Sequence, residues 1–144
     1  MNRAARSLPR RVFAVFLLTV CTLVALQAGA DEPVDSLDKV RENLSAKKAV
    51  LFDVRQRDEW DRGHLRDAQL VPLADLKKAD VDLAARQKLT KDWPAGAVIY
   101  CHCAKGVRAQ SAGALLKKWG YDARPLAAGY DDLLSAGFPA APKK

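Results

Sequence analysis

The chain has 144 residues and a formal net charge of +7, but four of its 24 cations are arginines in the first 30 residues, which hold no acid. Beyond that point 20 cations face 17 acids, a balance of +3 with no dense basic stripe, which excludes nucleic-acid binding and favours at most small anions. Residues 31–144 amount to a single domain able to bury a core without staples, and their two cysteines, Cys101 and Cys103, lie too close together to form a disulfide framework.

Taken in order, residues 1–30 read as a secretory signal peptide. Arg3, Arg6, Arg10 and Arg11 precede an apolar run from Val12 to Leu26, and Ala28-Gly29-Ala30 supplies small residues for cleavage. An uncleaved anchor is the competing reading, but the run is short for a membrane span. Cleavage predicts a periplasmic or secreted protein starting near Asp31, with no stable membrane association afterwards.

Ser36 is placed to cap a helix reaching about Ala46, with Leu37, Val40 and Leu44 facing inward. Ala49 to Val54 is a continuous apolar run broken only by Asp53, which suits a central parallel strand covered on both faces. A short charged helix carrying Trp60 follows over residues 55–62 and stops at Gly63. Residues 68–73 form a short strand ending near Pro72, residues 75–89 one helix, and residues 92–96 a turn.

Val98 to Tyr100 then reads as a buried strand. Apolar residues at Ala109, Ala112, Leu115, Leu116 and Trp119 mark one helix face, which Gly120 terminates. Residues 123–126 give a brief strand, Gly129 a turn, and residues 130–135 a last short helix before a tail containing Pro and Lys. Strands alternate with helices and no repeat is present, so the prediction is an α/β domain with a mainly parallel sheet flanked by helices.

The loop between the third strand and its helix carries the chemistry. It holds Cys101, His102, Cys103, Lys105, Gly106 and Arg108. A cysteine there faces the positive end of a helix dipole and a run of free backbone N–H groups, and both favour thiolate over thiol.

These residues also carry a family resemblance. Asp53-Val54-Arg55, Glu59-Trp60, Gly63-His64-Leu65, Ala68 and Val71-Pro72 resemble the opening signature of a rhodanese domain. The run from Cys103 to Ala109 resembles the family's active-site loop, and Leu126 to Tyr130 with Gly137-Phe138-Pro139 its closing motif. Two departures stand out: Ala128 occupies the place of a usual second glycine, and Cys101-His102 precedes the matched loop.

The resemblance implies a three-layer rhodanese-like domain and a sulfurtransferase working through a persulfide. Counting from Cys103 gives the usual loop length, so Cys103 is the expected nucleophile. Cys101 is the alternative, or a resolving thiol that expels sulfide from the persulfide and leaves a Cys101–Cys103 disulfide. The substrate-binding loop is then Ala104, Lys105, Gly106, Val107 and Arg108, with Lys105 and Arg108 attracting a small anionic sulfur donor. The acceptor is a thiol or cyanide. Asp53, Arg55 and His64 are assigned to structural support, His102 to the loop edge, and no cofactor or metal is implied. A monomer is expected.

Phosphatases related to this fold carry one more residue in the loop, so sulfur transfer ranks above phosphate hydrolysis. Three readings compete with it: a binding module without turnover, a thiol-redox protein, and a Cu(I) site at Cys101-His102-Cys103.

Overall fold

The computed structural model describes residues 35–142. The signal-peptide reading therefore lies outside the described residues.

Four parallel strands form one sheet in the order β2-β1-β3-β4: β1 Ala49–Asp53, β2 Ala68–Leu70, β3 Val98–His102 and β4 Ala123–Pro125. The helices are α1 Leu37–Ser45, α2 Arg57–Arg62, α3 Leu73–Val81, α4 Leu83–Thr90, α5 Val107–Lys118 and α6 Tyr130–Ser135. No helix among the described residues is long and apolar enough to cross a membrane.

The unbroken apolar run of β1 reflects burial on both faces. Successive side chains of a strand point to opposite sides, so Phe52, Ile99 and Cys101 pack with Leu76 of α3 and with Ala112 and Leu116 of α5. Leu51 and Tyr100 pack on the other face with Val40 of α1, Leu133 of α6 and Phe138. The expected three-layer α/β architecture is the one observed.

Several boundaries differ from expectation: the strand expected over residues 68–73 ends at Leu70, with α3 already starting at Leu73, and α2 starts at Arg57 rather than Arg55. The single helix predicted over residues 75–89 is two, because Asp82 is extended at φ −124° and ψ 106° and its carboxylate accepts the Ala85 N–H at 3.0 Å. That cap starts α4 and ends α3. The break leaves Val81 and Leu83 exposed on either side. The third strand also runs two residues past Tyr100, so Cys101 and His102 belong to β3, and α5 begins at Val107.

A polar network fixes the start of the described chain to the sheet. The fully buried Tyr100 donates its hydroxyl to Asp35 at 2.5 Å and accepts from the Asn43 amide at 2.8 Å, while Arg124 donates to Asp35 at 2.8 Å. The Tyr100 hydroxyl, followed by Arg124, holds the Asp35 carboxyl below the usual carboxylate range. Its contribution is therefore fully present above the unfolded value of 3.8 and is lost as pH falls through the folded-state pKa. Tyr100→Phe leaves the Asn43 amide without its acceptor and Asp35 with Arg124 alone, and should cost about 1–3 kcal/mol at pH 7. Urea unfolding as a function of pH checks this: the variant should lie closer to wild type at pH values low enough to protonate Asp35 than at neutrality.

Candidate active site

β3 carries Cys103 to the C-terminal edge of the sheet and α5 receives the chain at Val107, so the loop proper is Cys103 to Gly106. Cys103 is 2% exposed and packs in the cluster beneath α5, whereas Ala104 and Lys105 are exposed and Val107 is 75% exposed. Two glycines let the backbone close in this tightly. Gly106 is left-handed at φ +82°, and a Cβ there would lie 2.6 Å from the Ala127 carbonyl oxygen. A Cβ on Gly129 would lie 1.9 Å from the carbonyl oxygen of Ala104. The closing segment from Leu126 to Gly129 thus backs the loop directly, and the Leu126 N–H ties it to the Cys101 carbonyl at 2.8 Å.

Arg108, at the first turn of α5, does not point freely to solvent. Its Nη1 donates to Glu59 Oε2 at 2.5 Å and its Nη2 to Oε1 at 2.7 Å, a two-pronged pair from the loop to α2. Glu59 also accepts the Gln56 N–H at 3.1 Å. The Arg108 hydrogen bonds pull the Glu59 carboxyl down to about 2. In turn the Arg108 pKa is raised, chiefly by the Glu59 hydrogen bond and to a lesser degree by Cys103. Arg108, expected to attract the donor, is thus held by Glu59. Glu59 is the site residue that sequence reasoning missed; its only signal was its place beside Trp60 in the opening signature.

The support residues sit where expected. Asp53 is fully buried, and its carboxylate accepts Arg55 Nε at 2.9 Å, Arg55 Nη2 at 2.7 Å and the Arg55 backbone N–H at 3.0 Å. Arg55 also donates to the Gly63 carbonyl at 2.8 Å and lies 4.2 Å from the centre of the Tyr130 ring. The His64 ring stacks on Trp60 at 3.7 Å, with Nδ1 at 3.1 Å from the Trp60 carbonyl oxygen. A cleft of about 210 Å3, lined by Arg55, Glu59, Arg62, Gly63 and Tyr130, opens beside the Arg108–Glu59 pair.

His102 is a second correction. It is a fully buried strand residue rather than a loop-edge side chain. Its Nε2 stands 3.7 Å from Asp53, beyond hydrogen-bond distance, and neither ring nitrogen has a protein partner. Burial lowers its pKa and keeps the imidazole neutral. Alternation turns it to the sheet face opposite Cys101 and Cys103, so the three side chains do not converge on one metal ion. Among the described residues no group of three or more His, Cys, Asp or Glu could hold a metal.

Cys101 is fully buried in the middle of the sheet, paired in register with Phe52 and Pro125. Burial pushes its thiol up to about 12, so it is protonated at neutral pH. That counts against Cys101 both as the nucleophile and as a resolving thiol.

A rhodanese-like domain model matches residues 36–136. The uncharacterized protein YqhL of Bacillus subtilis (strain 168) is 26% identical over 109 residues, covering 76% of this chain and 79% of that protein. The human single domain sulfurtransferase TSTD1 superposes with a TM-score of 0.61 at 32% identity, over 72% of this chain and 96% of that one. Protein hp1203 of Helicobacter pylori 26695 gives a TM-score of 0.53 at 27% identity, over 74% of this chain and 86% of its own.

Proposed function

Because the chain belongs to the rhodanese-like domain family, we propose that it is a sulfurtransferase that carries sulfur as a persulfide on Cys103. The single observation that supports this most strongly is the loop itself: Cys103 begins it, Gly106 and Gly129 let the closing segment back it, and Arg108 follows at the first turn of α5. The likeness to a human single domain sulfurtransferase points the same way.

In the first step the Cys103 thiolate attacks the outer sulfur of thiosulfate. The new S–S bond forms as the donor's S–S bond breaks, and sulfite leaves with the electron pair. Backbone N–H groups of Ala104 to Arg108 stabilise the anionic persulfide, as an oxyanion hole stabilises oxygen. In the second step cyanide or a thiol attacks the outer sulfur and restores the thiolate. Asp53 and Arg55 tie the end of β1 to the Gly63 carbonyl and the Tyr130 ring, and Cys101 serves as core packing. Export of the mature chain to the periplasm or beyond is part of this reading and rests on the leader pattern of residues 1–30.

Incubation with thiosulfate and cyanide tests the activity. Thiocyanate should accumulate catalytically, over many turnovers per protein; a folded protein that yields none is a binding module.

A further inference from the structure

The end of the molecule opposite the loop carries an exposed apolar corner set among cations. α3 starts beside the C-terminal edge of the sheet, where the Leu73 N–H donates to the Val54 carbonyl at 3.2 Å, and runs back towards the N-terminal edge. α5 leaves the loop and runs the same way, so the two helices end together: Asp80 accepts Lys118 Nζ at 2.9 Å and Trp119 Nε1 at 3.0 Å. From α4, Arg86 donates to the Ala79 and Asp80 carbonyls at 3.1 and 3.0 Å and lies over the Trp119 ring. At this junction Val81 is 87% and Leu83 64% exposed, while Asp82 between them turns its carboxylate back to the Ala85 N–H. Lys77 and Lys78 stand one turn before Val81, on its face of the helix. They, Lys88 and Lys117 are exposed and have no ion-pair partner among the described residues. Together α3, α4, their joint and the last turn of α5 carry six cations against three carboxylates, those of Asp75, Asp80 and Asp82.

From this corner we infer that the protein docks reversibly on an anionic lipid bilayer, with Val81 and Leu83 entering the interface and the lysines around them meeting the headgroups. Two protruding aliphatic side chains are not the wall of a groove, and a fluid interface receives them without a complementary pocket. Apolar area and cation excess add on such a surface, where each lysine strengthens binding about fivefold. The contact is peripheral, distinct from the anchor that an uncleaved leader would provide. Docking at this end keeps the Cys103 loop, at the C-terminal edge of the sheet, facing away from the bilayer and open to donor and acceptor.

The test sediments protein exported by a bacterial host with vesicles of phosphatidylcholine alone, or of equal parts phosphatidylcholine and phosphatidylglycerol. Wild type should bind the anionic vesicles at least about tenfold more tightly, and the preference should shrink with added salt. Lys77→Gln/Lys117→Gln should weaken that binding about 25-fold at low salt, about fivefold for each lysine. Val81→Ser/Leu83→Ser should weaken it about tenfold, the effect of withdrawing roughly one aliphatic side chain from an apolar medium. All four positions are exposed, so both variants should melt as wild type does. Equal binding to the two vesicle types, or either double variant binding as tightly as wild type, overturns the inference. So does a wild-type dimer that Val81→Ser/Leu83→Ser dissociates, which assigns the corner to a second copy of the chain.

Discussion

Cys103→Ser should reduce thiocyanate formation at least about a thousandfold, whereas Cys101→Ser should keep most of it. The asymmetry follows from where the two sulfurs lie. Cys103 stands just past the end of β3, at the start of the loop, while Cys101 is sealed within β3 and its thiol is pushed up to about 12. A serine hydroxyl at position 103 can neither ionise at neutral pH nor carry a persulfide, so no partial rescue is expected. Cys101→Ser places a hydroxyl in an apolar cluster and should cost some stability without touching the chemistry. Melting curves on both variants separate the two effects. Loss of activity in the Cys101 variant alone would shift the catalytic assignment by two residues.

The largest effect on stability is expected at the buried pair at the end of β1. The Asp53 side chain is fully buried and that of Arg55 is only 6% exposed. Removing the carboxylate leaves a buried guanidinium uncompensated, which is far worse than removing the whole pair. Asp53→Ala should therefore destabilise by about 3–5 kcal/mol in urea unfolding at pH 7. The double variant Asp53→Ala/Arg55→Met should recover part of that loss, because it no longer buries an unpaired charge. A single Asp53→Ala variant within about 1 kcal/mol of wild type would show that the pair contributes little and that solvent reaches Arg55.

The elements were legible because each carried a local physical signal. The continuous run at Ala49 to Val54 announced a strand buried on two faces, Ser36 announced a helix start, and Gly63 and Gly120 announced helix stops. Residues 130–135 form the expected helix with those same bounds. The break at Asp82 was not legible, since helix formers stand on both sides and only the realised cap distinguishes two helices from one. Cys103, its loop and the Asp53–Arg55 pair could be read because those partners lie close together in sequence.

Long-range partners could not be read. Glu59 meets Arg108 across 49 positions, and Tyr100 meets Asp35 across 65. Nothing near either residue in sequence specifies those pairs; the parallel register and the packing of α2 against the loop do. His102 shows the same limit. A histidine after a strand-like run reads as a loop residue, yet its register pairing with Asp53 carries it into the sheet.

Whether Cys103 carries transferable sulfur is decided by mass spectrometry of the reduced protein after exposure to thiosulfate or benzenethiosulfonate, without acceptor. A one-sulfur mass increase is expected on the peptide containing both cysteines, retained in Cys101→Ser, absent in Cys103→Ser and removed by cyanide. No adduct from either donor, or an adduct that persists in Cys103→Ser, would contradict it.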